Sequence, residues 1–262
     1  MTKVIFFGNG PLADHTLSVL KQHFEIIFHA RTKEDLQKVV EIKQKYPKAF
    51  GILASFGVII KQDLLDLFEP IGILNIHPSL LPYYRGASPI ESAILNGDTT
   101  YGVSIMKLVK AMDAGPVYYQ TTITPSNPLR KDLKSYLYQT LATSGANWLV
   151  QNIKKLPTPV SQDDKEATFT TKLDKSMSLL QPEKHSTESI LRQILAFQDF
   201  PKPKYAFFGQ KCIILEAHIL KQGETALLTI TCQDGQNIAI DRLQPAGKKA
   251  MDAKSFLNGY AK

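Results

Sequence analysis

The sequence predicts an α/β protein: a Rossmann-like domain with a mostly parallel sheet, followed by a small C-terminal OB-like β-barrel. Three observations carry this. Through the first half, short apolar runs alternate with amphipathic stretches, the pattern of parallel strands covered by helices on both faces. One apolar run, beginning at Ile73, ends in a polar pair and a proline, as strands do where open α/β sheets place their chemistry. In the last third, short β-prone runs at Lys211–His218, Ala226–Cys232 and Asn237–Asp241 are separated by Gly223 and Asp234-Gly235, a spacing that suits a small barrel.

Taken in order, Val4–Phe7 reads as a buried strand that ends at Gly8-Asn9-Gly10-Pro11. A helix from Leu12 to His23 follows, with Pro11 suited to its first turn. The Gly-x-Gly invites a dinucleotide reading, but Ala13 replaces the third glycine and no acid follows the second strand, Phe24–Phe28, at the expected place, where His29-Ala30-Arg31 stands. A plain strand-to-helix turn is favoured. Glu34–Tyr46 has helical spacing at Leu36, Val39, Val40 and Lys43, and its lysines are expected on a solvated face. A strand at Phe50–Ser55, a helix at Lys61–Phe68, the strand ending at His77, a helix at Ser88–Asn96 and a strand at Tyr101–Val109 complete the alternation. Leu129–Ile153 forms one or two helices with Trp148 turned inward, and Thr168–Lys172 is a candidate edge strand. The polar stretch Asp174–Thr187 marks the boundary. The expected domains are 1–176 for catalysis, 177–188 as linker and 189–262 as the barrel, which opens with a helix at Glu188–Phe197.

Composition narrows the function. At 262 residues and 44% hydrophobic, the chain can build one large or two modest cores. It has no apolar run of membrane-span length, and its N-terminus is too short in apolar residues for a signal peptide. Cys212 and Cys232 lie far apart in apolar segments without metal or redox spacing, so free buried thiols in a reducing cytoplasm are expected. The net charge of +7 suits a polyanionic partner, although the excess is spread along the chain rather than gathered in one arm.

The chemistry concentrates between Ile71 and Ile90. Asn75 and His77 fall on one face of a strand, Ile76 on the other. Pro78, without an amide hydrogen, stops the ladder directly after the histidine. Ser79-Leu80-Leu81-Pro82 then forms a loop whose backbone polar groups are open to a ligand. A histidine at a strand end is, on its own, more often structural than catalytic; the partner Asn75 and the Tyr83-Tyr84-Arg85-Gly86 continuation turn the reading toward a site. A Ser-His-Asp hydrolase using Ser79 or Ser104 lacks the Gly-x-Ser-x-Gly elbow, and His77 with Asp113 lacks a third metal ligand, so no metal is expected.

The run Asn-Ile-His-Pro-Ser-Leu-Leu-Pro-Tyr-Tyr-Arg-Gly resembles the signature of the folate-dependent formyltransferases. Asp113, before Ala114-Gly115, stands where that family holds an acid, and Gln162 to Phe169 resembles its Gln-Asp-x-x-x-Ala-Thr stretch. Leu243–Met251 is similar to its C-terminal domain, so the resemblance spans nearly the whole chain. It implies a formyl transfer from N10-formyltetrahydrofolate to an amine, through a tetrahedral carbon bearing an oxyanion. Asn75 would donate to that oxygen, His77 would stabilise it and move protons, and Asp113 would orient the imidazole. Ser79, Leu80, Leu81 and Pro82 would bind the folate, and Arg85 would either hold an anionic part of a substrate or form a surface ion pair. The implied acceptor is methionyl initiator tRNA, with Lys202, Lys204, Lys248 and Lys249 available to its phosphates, in a cytoplasmic monomer. A sugar nucleotide is the alternative acceptor, and a non-catalytic RNA-binding relative the alternative class. Two departures stand out. Val109 and Pro116 replace acids expected near Asp113, and Ala30–Glu34 runs almost directly into a helix where the family carries a long basic loop that grips tRNA.

Overall fold

Four consecutive apolar side chains, Val4 to Phe7, are wholly buried within β1 (Thr2–Gly8), so both faces of this strand are covered. The structure, a computed structural model, describes residues 1–261. These divide into two compact units. The first comprises Met1–Ile90, Thr100–Pro125 and Ser135–Thr171; the second comprises Glu91–Thr99, Ser126–Lys134 and the chain from Lys172.

In the first unit β1 joins β2 (Phe24–Ala30), β3 (Phe50–Ala54), β4 (Ile73–His77), β5 (Tyr101–Lys107) and β6 (Val117–Ile123). Their order is β2-β1-β3-β4-β5-β6; the first four are mutually parallel, while β4–β5 and β5–β6 are antiparallel. Along this stretch of chain the helices are α1 (Pro11–His23), α2 (Asp35–Lys45), α3 (Gln62–Asp66), α4 (Pro89–Asn96), most of which belongs to the second unit, and α5 (Leu133–Asn152), which follows β6. Pro11 occupies the first turn of α1, as expected. One face of the sheet is closed by a cluster that includes Ile5, Phe7, Val39, Leu53, Leu64, Phe68 and Ile73. On the other, Ile76, Val103 and Ile105 meet α5 so closely that a Cβ on Gly145 would lie 2.8 Å from the Ile76 side chain. Asn75 pairs with Leu53 and therefore shares the first face, at the carboxyl end of β4.

Three expectations change. The lysines of α2 are not all solvated: Lys43 is buried, its ammonium donating to the carbonyls of Pro47 and Ala49 at 2.7 Å each and lying 4.7 Å above the Phe68 ring. Burial lowers its pKa from the ordinary value. Thr168–Lys172 adds no edge strand; only an isolated bridge joins Phe169 to Arg85. Finally, β6 is a full strand that the periodicity did not mark, and Tyr119 on it stacks on half-buried Trp148 of α5 at 4.9 Å.

The second unit is built on α6 (Thr187–Ala196), capped by the Ser186 side chain, and five strands: β7 (Lys204–Phe207), β8 (Gln210–Ile219), β9 (Thr229–Thr231), β10 (Asn237–Pro245) and β11 (Met251–Asp252). They run β11-β10-β8-β7, with β9 also on β10, as a curled antiparallel half-barrel. Ile190, Leu191 and Ile194 of α6 are buried, as are Ile214, Ile238, Ile240 and Phe256, the last from α7 (Ala253–Tyr260). Cys212 and Cys232 are free and buried, and burial raises both thiol pKa values. No helix of the described residues is long and apolar enough to cross a membrane.

On the same sheet His218 donates from Nδ1 to Asp241 at 2.8 Å and from Nε2 to Glu224 at 3.0 Å. The bond to Asp241, with that to Glu224 behind it, raises the imidazole pKa above 6.5. A raised folded-state value means this contribution is complete below 6.5 and fades as pH climbs through the folded value. The stabilising contribution should fade as pH rises above 6.5, so the thermal midpoint should fall along that limb and His218→Gln should flatten the fall, the variant's loss being largest at acidic pH. Melting curves across this range decide it; a wild-type slope in the variant would discard the assignment.

Candidate functional site

β4 ends at His77 because the next residue, Pro78, cannot extend the ladder. Asn75 and His77 are each 5% exposed, and His77 lies opposite Ser104 of β5. Nε2 of His77 donates to the carbonyl of Tyr84 at 3.0 Å, which fixes the ring and leaves Nδ1 facing Asp113, 3.8 Å from Oδ1. Nδ2 of Asn75 lies 3.5 Å from the same oxygen. The three side chains named from sequence therefore meet at one carboxylate oxygen. Asp113 belongs to the loop between β5 and β6 and holds a left-handed backbone, φ +49°. Its other oxygen, Oδ2, accepts the Gly86 amide at 2.8 Å. The result is an amide donor, a ring nitrogen and a carboxylate arranged around one point, the set needed to steady an oxyanion and move a proton.

The loop Ser79–Pro82 is tied down. Ser104 Oγ donates to the Ser79 carbonyl at 2.6 Å and accepts the Leu81 amide at 3.0 Å. Gln120 donates to the Leu81 carbonyl, Tyr83 to the Leu80 carbonyl and Thr168 to the Pro82 carbonyl. The carbonyls of Ser79, Leu80, Leu81 and Pro82 and the amides of Ser79 and Leu81, which the sequence reading left open to a ligand, are thus engaged within the protein. Ser79 Oγ itself donates to the Tyr83 carbonyl at 2.6 Å.

Arg85 is neither at the surface nor free to grip an anion, being 3% exposed. Its guanidinium donates to Gln162 Oε1 at 3.0 and 2.8 Å and to Asp164 at 2.7 Å, with the Phe169 ring 6.0 Å away. Its backbone is bonded on both sides, to Thr168 and Thr170. The Tyr84 carbonyl and Gly86 amide went unforeseen because backbone groups leave no mark on side-chain spacing. Gln162 was visible only as part of a resemblance.

Between β2 and α2 the chain has no room for a long loop. The Asp35 carboxylate accepts the amides of Arg31 and Thr32 at 2.8 and 3.0 Å, closing a four-residue turn, and these bonds lower its pKa.

With this geometry in hand, comparison with known proteins is decisive at the level of family. A family model for formyl transferases matches residues 12–153, and one for the formyl transferase C-terminal domain matches residues 172–261. The chain belongs to the formyl transferase family of enzymes. Its sequence relatives include the methionyl-tRNA formyltransferase of Jannaschia sp. (strain CCS1), 37% identical over 220 residues, 80% of this chain and 70% of that one. The methionyl-tRNA formyltransferase of Dictyoglomus thermophilum is 36% identical over 236 residues, 84% of this chain and 74% of the relative. Among solved structures, HypX from Aquifex aeolicus in complex with tetrahydrofolic acid superposes with a TM-score of 0.76 at 19% identity, covering 100% of this chain; the chain spans only 48% of HypX. Methionyl-tRNA formyltransferase from Clostridium thermocellum gives 0.67 at 17% identity, covering 94% and 98% of the two chains. At such identities the likeness concerns fold alone.

Gly86 has φ +114°, and a Cβ there would meet Thr170 Oγ1 at 2.8 Å. Gly247, with φ +72°, has nothing within 4 Å of that position. Gly86→Ala should therefore lose formyl transfer about tenfold or more by displacing the amide that holds Asp113, whereas Gly247→Ala should lose some stability but keep its activity. Paired rate and melting measurements test this; equal activity in the two variants would refute the role of the Gly86 amide.

Proposed function

We propose that this chain transfers the formyl group of N10-formyltetrahydrofolate to the amino group of methionyl-tRNA, yielding N-formylmethionyl-tRNA for translation initiation. The observation that carries the proposal is the convergence of Asn75 and His77 on Asp113, in a chain whose sequence relatives are named methionyl-tRNA formyltransferases. The amine nitrogen attacks the formyl carbon, and the former carbonyl oxygen becomes an oxyanion. Asn75 donates its amide hydrogen to that oxygen. His77, anchored through Nε2, uses Nδ1 to take the proton lost by the amine and return it to N10 as the carbon–nitrogen bond to the folate breaks. Asp113, 3.8 Å from Nδ1, attracts the positive charge that develops on the ring. No metal is required by these steps.

The folate is proposed to lie along Ser79, Leu80, Leu81 and Pro82, meeting a preformed surface. A tetrahydrofolate donor is supported by the family and by the folate bound in HypX. Residues 1–176 are assigned catalysis, 177–188 the connection and 189–262 contact with tRNA. Lys202, Lys204, Lys248 and Lys249 support that contact: all four are exposed and none pairs with an acid among the described residues. Because the β2–α2 turn is closed by Asp35, the acceptor end of tRNA is gripped elsewhere than in a long basic loop. A monomer suffices, since every member of the site comes from one chain, and a cytoplasmic location fits translation.

The test is a formylation assay with N10-formyltetrahydrofolate and charged initiator tRNA. The wild-type protein should turn over, and His77→Ala should lose a factor of about a hundred to ten thousand in rate. Turnover of an amino-sugar nucleotide but not of tRNA, or salt-sensitive tRNA binding without turnover, would overturn the proposal.

A further inference from the structure

We infer that Gln162 is the positioning residue of the formyl-transfer centre, a clamp that holds the Asp113 turn in the shape that aims its carboxylate at Asn75 and His77. The inference rests on the formyl-transfer reading above, since Gln162 itself touches none of the three side chains.

The amide of Gln162 is saturated. Its nitrogen donates to the carbonyl of Asp113 at 2.7 Å and to that of Gly115 at 2.7 Å; its oxygen accepts Nε and Nη2 of Arg85. Two carbonyls on one side and a guanidinium on the other permit a single orientation of the amide. Arg85 cannot swing to release it, being buried, bonded to Asp164 and fixed through its backbone to Thr168 and Thr170. The clamped turn needs such a hold. Asp113 keeps a left-handed backbone that residues other than glycine rarely adopt, and the turn presses so closely on β5 that a Cβ on Gly115 would lie 1.8 Å from the Lys107 carbonyl. Arg85 also precedes Gly86, whose amide binds the Asp113 carboxylate. One residue, Arg85, thus stands behind both fixings of Asp113: the carboxylate through its backbone neighbour Gly86 and the carbonyl through its side chain's bonds to Gln162. Only a glutamine supplies donors to two carbonyls and an acceptor to a guanidinium at this reach. Glutamate keeps the partner of Arg85 but sets an oxygen against the carbonyls; leucine keeps neither.

Gln162→Glu and Gln162→Leu should each lower kcat by about ten- to a hundredfold through misplacement of Asp113, with KM for folate and tRNA within about threefold of wild type. In an Asp113→Asn background the same changes should cost less than about twofold further, because the effect passes through that carboxylate. Hydrogen exchange at the amides following Asp113 should accelerate in both variants, whatever the activity. A folded Gln162→Glu with wild-type kcat, a loss confined to KM, or an undiminished effect in the Asp113→Asn background would overturn the assignment. A wild-type protein that transfers no formyl group would instead defeat the functional reading, and unchanged exchange would still defeat the clamp.

Discussion

The hydrogen bond from the Gly86 amide to Oδ2 of Asp113, 2.8 Å long, joins the two chain segments on which the centre is built. One segment leaves β4 after His77; the other leaves β5. β4 and β5 pair antiparallel, with His77 opposite Ser104 and Leu74 opposite Lys107, so the loop after β5 leaves beside the start of β4 and reaches back toward its carboxyl end to bring Asp113 to Asn75 and His77. A carboxylate whose side chain is only 14% exposed needs donors to offset its lost hydration, and Gly86 supplies one. With Oδ2 so engaged, Oδ1 is left toward Asn75 and His77 at distances too long for strong bonds.

The surroundings are stiff. Tyr84 and Asp113, two of the non-glycine residues with positive φ, both contact the centre through their backbones or side chains, and such conformations persist only where neighbours over-determine them. Ser104 makes three hydrogen bonds that lock the Ser79–Pro82 wall, and Thr168 and Thr170 lock Arg85. Preorganisation of this sort lets dipoles meet developing charge without first reorienting, which is what the roles proposed for Asn75, His77 and Asp113 require.

Much of this was legible in the residues. The apolar run to His77 stopped by Pro78, the period of α2 and the alternation of strands and helices each reflect local forces, and local forces are what a sequence displays. Asn75 and His77 were nameable from their shared strand face, whereas Asp113 was nameable only through the family resemblance, since an acid beside glycine reads by itself as a turn. Other features depend on tertiary partners. Lys43 is apolar in position but charged in kind, and only the carbonyls of Pro47 and Ala49 explain its burial. β6 was hidden by its mixed burial, exposed and half-buried by turns, and β11 by having two residues. Arg85 was open to two readings, a grip on a substrate anion or a surface ion pair, because nothing near it in sequence shows that Gln162 and Asp164 will close over it. The ring of His77 was expected to be oriented by Asp113, yet the Tyr84 carbonyl makes that bond, a backbone group to which composition is blind.

The central claim is that a backbone-anchored carboxylate completes the centre by its charge. Single-turnover formyl transfer by Asp113→Asn addresses it most directly, since asparagine keeps the size and an oxygen for the Gly86 amide but removes the charge. The account predicts a rate lower by about a hundredfold or more with folate binding within a few-fold of wild type. A single-turnover rate equal to wild type would contradict it.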